Sequence, residues 1–168
     1  MGVYSVDRLI SETRRLAAEY RRTTGKSLPV TAEIAVHDAI RLLQLEPAPE
    51  GTVGYDAISR LGPQPKRVQV KGRAIFDEHK SGHRIGQLKA NQDWDAVVLV
   101  LMDDRYQTTE IFEADRQTII DALEETEGSQ RSKRGAMSVA RFKIIGRLVW
   151  TLENGIEEDG YWDNTASA

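Results

Sequence analysis

The chain has 168 residues, of which 40% are hydrophobic and 29% charged, and it carries a formal net charge of −3. That size and balance suit one folded domain burying roughly 70% of its unfolded surface, and they exclude an intrinsically disordered polypeptide. The absence of cysteine excludes disulfides and thiolate metal sites, and the net charge argues against a protein that coats nucleic acid indiscriminately.

The longest apolar run, Ala96 to Met102, is about a third of the roughly 20 residues that cross a bilayer. No signal-like hydrophobic stretch opens the chain. A cytoplasmic location without membrane contact is the expectation. Leu9, Ile10, Thr13, Leu16, Ala17 and Tyr20 recur at three- and four-residue steps and predict an amphipathic first helix ending near Thr23 to Gly25, its other face rich in solvated arginine. Thr31 after Pro29 is a plausible N-cap, and the second helix is expected to carry Glu33, Val36, His37, Ile40 and Leu43 along one stripe.

Pro47, Pro49, Gly51 and Gly54 make a loop, after which the pattern turns extended. Tyr55 to Leu61 reads as a strand. Gly62, Pro63 and Pro65 form a turn, and Arg67 to Lys71 returns with Val68 and Val70 on one side and Arg67, Gln69 and Lys71 on the other. Arg73 to Asn91 has no sustained period and is expected to be a long loop, a kind of segment that is often functional. Asp95 to Met102 suits a strand buried on both faces, and Gln107 to Phe112 a second strand. Asp115 is expected to cap a helix bearing Ile119, Ile120 and Leu123. Ser138 should cap a last helix with Val139, Phe142, Ile145 and Leu148 inward. The expected order, α α β β β β α α, gives an α/β fold with a central mixed β-sheet flanked by helices. All 168 residues should form a single domain, with a core over about 31–150, an N-terminal helix over 5–22 packed on it and a flexible tail over 153–168.

Charge is segregated along the chain. Seven Lys/Arg lie between Lys66 and Lys89, and six lie between Gly128 and Arg147 with no acidic residue; between these stretches, Asp103 to Glu127 holds nine acidic residues. The basic stretches are candidate phosphate-facing patches, and the acidic one is expected to face water.

The chemically informative pattern is Asp56 in one hairpin strand and Gln69-Val70-Lys71 in the returning one. Residues two apart in a strand share a face, so Gln69 and Lys71 project together, and antiparallel pairing can bring Asp56 beside them. Gly54-Tyr55-Asp56, Val68-Gln69-Val70-Lys71-Gly72 and the helix glutamate Glu33 resemble the PD-(D/E)XK nuclease superfamily over roughly Thr31 to Phe112. The resemblance implies a restriction-endonuclease-like fold and a Mg²⁺- or Mn²⁺-dependent endonuclease hydrolysing phosphodiester bonds, with DNA the favoured substrate. Asp56 and Glu33 would hold the ion. The Gln69 side-chain carbonyl and the Val70 backbone carbonyl would add oxygen ligands, and Lys71 would orient the attacking water. Tyr55 stands where the family name has proline, and Gln69 where an acidic residue is more frequent; the second departure removes a charge and should weaken metal binding.

Arg73, Lys80, Arg84 and Lys89 follow the pattern directly, and Arg131, Lys133 and Arg134 form a second basic loop; both groups are candidate nucleic-acid contacts. Cutting both strands of a duplex with so small a domain would take two copies, which makes a homodimer the expected assembly. The alternatives are a non-catalytic module that keeps the nuclease fold and binds nucleic acid or a protein partner, and a small subunit whose specificity resides in another chain. His79 and His83 read as a loop pair rather than metal ligands, His37 as a hydrogen-bonded histidine at the edge of the core, and Trp94, Trp150 and Trp162 as packing residues.

Overall fold

A computed structural model describes residues 5–80, 82–125 and 136–157. The Ser5 hydroxyl accepts the Arg8 amide and opens helix α1 (Val6–Thr24), and Gly25 closes it in the left-handed conformation. Helix α2 (Thr31–Leu42) follows; Val30 stands at its N-cap with no side-chain cap bond, and Thr31, expected there, is the first helical residue. Strands β1 (Glu46–Pro47), β2 (Ala57–Ser59), β3 (Lys66–Ala74), β4 (Ala96–Met102) and β5 (Thr108–Asp115) come next, then helices α3 (Arg116–Glu124) and α4 (Val139–Ile145), and finally strands β6 (Arg147–Thr151) and β7 (Gly155–Ile156). The seven strands form one mixed sheet in chain order. Only β3 and β4 run parallel, and every other neighbouring pair is antiparallel.

The position of β4 follows from its composition. All seven of its residues are buried, so it occupies the middle of the sheet with packed layers on both sides. On one side α1 and α2 cover Val68, Val70, Ala74, Val98, Val100 and Met102; on the other α3, α4 and residues Ile85, Leu88 and Trp94 cover Val97, Leu99 and Leu101. A parallel pair cannot be joined by a tight turn. The chain between β3 and β4 therefore crosses the sheet, and it does so without a helix among its described residues. The Ile85 amide donates to the Met137 carbonyl at 3.1 Å and the Val139 amide to His83 at 2.8 Å, tying the crossover to the entrance of α4. Arg116 donates to the carbonyls of Ala90, Gln92 and Trp94 and lies 4.6 Å above the Trp94 ring, anchoring the crossover's other end.

Several expectations are corrected. The stripe of α2 that meets the sheet is Ile34, Ala35, Asp38 and Ala39, not the one containing Glu33, Val36, His37 and Ile40. Small residues win because α2 comes so close to β3 that a Cβ on Gly72 would lie 2.5 Å from that of Ala35. The first hairpin strand shortens to β2, and β3 extends to Ala74. The last helix stops at Ile145 and Leu148 belongs to β6, since its three-residue spacing from Ile145 also fits the start of an alternating strand. Residues 155 and 156 of the expected tail pair with β6, while 158–168, Trp162 among them, lie outside the described residues. Arg14 is not on a fully solvated face: its partly covered guanidinium pairs with the buried carboxylate of Asp38. The acidic stretch does not simply face water. Glu113 accepts Lys66 at 2.8 Å, Glu110 lies 3.7 Å from Lys143, and Glu125 pairs with Arg141.

Candidate functional site

β2 and β3 pair with Ala57 opposite Val68, which sets Asp56 just before the strand and opposite the middle of β3. The Asp56 amide donates to the Val68 carbonyl at 2.9 Å, and the Asp56 Oδ2 accepts the Val70 amide at 2.7 Å. Its carboxylate thus occupies a ladder position that a longer β2 would have filled with a peptide carbonyl. Because Val68 and Val70 turn their backbone groups towards this edge, the Val70 carbonyl is directed there as well.

Gln69 and Lys71 leave β3 on the face opposite α2, beneath the crossover. Gln69 is 8% exposed. Its Nε2 donates to the Gly54 carbonyl at 3.0 Å and to Gln92 Oε1 at 3.4 Å. The Gly54 carbonyl, which can only accept, sets the amide's orientation, since the flipped form would put oxygen against oxygen there. The consequence is that Gln69 Oε1 is buried and has no hydrogen-bond partner among the described residues. An orphaned buried carbonyl costs about 1–3 kcal/mol and keeps the capacity to accept from a donor or a cation; the buried Tyr106 hydroxyl and Arg141 Nε are likewise without a partner among the described residues. Gly54, at φ +102°, makes the turn that aims its carbonyl at Gln69, with the Asp93 amide 3.1 Å from where a Cβ would stand.

Lys71 is half-buried, with its Nζ 3.6 Å from where a Cβ on Gly86 would stand. Burial pulls the Lys71 ammonium below its ordinary pKa; Asp56 opposes the shift and Lys89 adds to it. Asp56 and Lys71 therefore feel each other, as the strand pattern predicts. Lys89 is exposed, and its carbonyl is held by the Trp94 indole at 2.8 Å, which keeps this part of the crossover beside Lys71.

Glu33 is not brought into this cluster. It lies exposed in the first turn of α2, on the side of that helix turned away from the sheet and in the layer opposite Gln69 and Lys71. Among the described residues no three His, Asp or Glu side chains gather into a metal-holding group. Arg73, Lys80 and Lys89 are exposed, whereas Arg84 is partly covered and its guanidinium reaches the Ala136 carbonyl at 3.4 Å. Arg131, Lys133 and Arg134 lie outside the described residues. The His79 amide donates to the Asp77 carboxylate at 2.9 Å, the His83 ring lies 3.3 Å from the Asp77 carbonyl, His37 contacts Asp7 at 3.2 Å, and Trp94 and Trp150 are buried.

Two contributors escaped the sequence reading. Gln92 completes the shell of Gln69 from the far end of the crossover, and Gly54 supplies a carbonyl rather than a turn alone. Neither carries a residue-type signal, because both act through a fold-dependent approach of distant segments. No helix among the described residues is long and apolar enough to cross a membrane. Compared with known proteins, the chain matches no family model and no curated protein.

Proposed function

We propose that this protein is a divalent-metal-dependent nuclease of the restriction-endonuclease-like type, hydrolysing phosphodiester bonds with DNA as the favoured substrate. The observation that carries the reading is the buried, unpartnered Gln69 Oε1 beside the Asp56 and Lys71 pair. One carboxylate, one amide oxygen and the Val70 carbonyl form an all-oxygen donor set, which suits Mg²⁺ or Mn²⁺ and leaves room for water ligands. With a single carboxylate in that set the affinity should be low. Glu33 takes no part in it on this geometry.

The ion, when bound, would lower the pKa of water and neutralise charge on the scissile phosphate. The chain's own groups do the rest. Asp56, anchored by the Val70 amide, presents its second oxygen to the site. Lys71, held in a half-buried slot, points a charge at the position of the attacking oxygen and the phosphate without needing to reorganise. The crossover excludes water from the inner side of that slot. Lys89, at its rim, is suited to a strand phosphate. Cleavage of both strands of a duplex would use two copies of the chain.

The test is incubation of supercoiled and single-stranded DNA with Mn²⁺, comparing wild type with Asp56→Ala. Nicking or linearisation by wild type alone supports the reading, and intact DNA in both arms under all metals and pH values overturns it.

A further inference from the structure

Beyond the Asp56 and Lys71 cluster, β3 continues to Arg73, which projects on the same face about 7 Å further along the strand. There the end of β3, the start of the crossover and the last turn of α1 enclose a pocket of about 500 Å³, lined by Arg21, Arg73, Phe76, Asp77, Lys80 and His83 among others. Its charge is unusual for this molecule. Neighbouring Arg22 pairs with Glu19 at 3.0 Å, and Arg67 pairs with Asp95 at 3.0 Å. Arg21, Arg73 and Lys80, in contrast, are in no ion pair among the described residues, although all three line one cavity. The one carboxylate in the wall, Asp77, is engaged by the His79 amide at 2.9 Å.

Arg21 is also pre-oriented. Its guanidinium carbon lies 3.5 Å above the centre of the Phe76 ring, and its Nη1 is within 3.4 Å of the Gly25 carbonyl and the Ser27 hydroxyl. Stacking fixes the plane of the guanidinium fork, and a fixed fork matches the paired oxygens of a phosphate better than it matches water. Phe76 in turn packs edge-on against Tyr106, with ring centres 5.7 Å apart. The platform is thus tied to the core. Three cations against the single Asp77 carboxylate leave an excess of positive charge facing the cavity, which favours an anion there.

The geometry points to this pocket as a second phosphate site, formed by Arg21, Arg73 and Lys80, that grips a nucleic-acid strand beside the reacting position. The inference rests on the nuclease reading for its substrate class, but its test does not depend on cleavage. The bound group is a phosphate, drawn either from an internal diester or from the end of a strand. The platform offers no open aromatic face for a base, because Arg21 covers Phe76; the grip is therefore on the backbone and independent of sequence.

The experiment is fluorescence anisotropy of a single-stranded DNA oligonucleotide labelled at its 3′ end, in EDTA, over a series of salt concentrations. Arg73→Gln and Arg21→Gln should each weaken binding several-fold and each reduce the slope of log affinity against log salt by about one. Arg41→Gln, an exposed arginine on α2, should change neither. Arg21→Lys should fall between wild type and Arg21→Gln, because it keeps the charge and loses the stacked fork. Comparing 5′-hydroxyl with 5′-phosphate oligonucleotides separates the sources: a penalty in both assigns an internal diester, and a penalty only with the phosphorylated end assigns a terminal one. If the slopes of Arg73→Gln, Arg21→Gln and Lys80→Gln all equal that of wild type, the pocket is not a phosphate site, even if the protein cleaves DNA. If the slopes fall as expected and no metal supports cleavage, the pocket stands and the nuclease reading falls.

Discussion

Two polar clusters lie on opposite faces of the same sheet, and they are built to different rules. Under α1 and α2, Asp38 is 1% exposed and accepts two bonds from Arg14, at 2.8 and 3.0 Å, and one from the Thr108 hydroxyl at 2.6 Å. Arg14 also donates to the Tyr106 carbonyl. The carboxylate is matched by a full charge and two kinds of donor, so it is a closed structural joint between α1, α2 and β5. Under the crossover, Gln69 is nearly as buried but keeps an unpartnered oxygen, and Lys71 is held partly out of water with Asp56 as a favourable charge but no ion pair among the described residues. A closed cluster stabilises the fold; an open one has capacity left for a ligand. The α1–α2 side also keeps one buried hydroxyl, that of Tyr106, without a partner among the described residues, so what singles out the Asp56 side is the orphaned amide oxygen together with the Asp56 carboxylate and the half-buried Lys71.

The contrast can be broken most severely at the closed cluster. Asp38→Ala would strand the Arg14 charge and should cost about 3–5 kcal/mol, enough to threaten folding, as read by urea unfolding. Gly72→Ala comes next, because its Cβ would overlap Ala35; a loss of about 1–3 kcal/mol is expected as α2 is pushed off β3. The open cluster should respond differently. Gln69→Leu gives up the bond to Gly54 and also removes the orphaned oxygen, so stability should move by no more than about 1 kcal/mol. Metal binding, read by calorimetry, should nevertheless be lost. Gln69→Glu should tighten it by restoring a carboxylate, and Glu33→Gln should leave it unchanged within about twofold. A large loss on Glu33→Gln would mean that α2 reaches the site after all.

The smallest effect belongs to the exposed pair of Arg67 and Asp95. The Arg67 hydrogen bond holds the Asp95 carboxyl below its ordinary 3.8, against the opposing effect of burial. Since the folded value is the lower one, the pair's stabilisation is complete above 3.8 and is lost as pH falls through the folded value. Asp95→Asn should therefore lower stability near neutrality by less than about 1 kcal/mol, given the solvent exposure of both partners, and the two proteins should converge in acid. A difference that widens on acidification would reverse the sign.

Much of the framework was readable from residue types. The Asp115 and Ser138 caps, the buried strand at β4 and the shared face of Gln69 and Lys71 all depend on local period or on capping chemistry, whereas Thr31 is the first residue of α2 and not its cap. What escaped depends on distance in sequence. β1 and β7 are two-residue strands with no pattern to read, existing only because β2 and β6 offer them an edge. α2 carries apolar side chains on two faces, and only the close approach at Gly72 decides in favour of the stripe of Ile34, Ala35, Asp38 and Ala39. Spacing cannot say on which side of the sheet a helix packs, and so the sequence does not separate Glu33 from the Asp56 cluster. Arg14 looked solvated because its partners are 24 and 92 residues away.

The most direct test of the open cluster pairs Mn²⁺ calorimetry with single-turnover cleavage of labelled DNA for wild type, Asp56→Ala and Lys71→Ala. Wild type should bind the ion weakly and cut. Asp56→Ala should lose both properties, and Lys71→Ala should keep the ion but cut at least a hundredfold more slowly, an effect on the scale of removing one electrostatic catalytic group. Equal Mn²⁺ binding by wild type and Asp56→Ala, with DNA left intact by both, would contradict the account and leave a non-catalytic nuclease-fold module that binds nucleic acid or a protein.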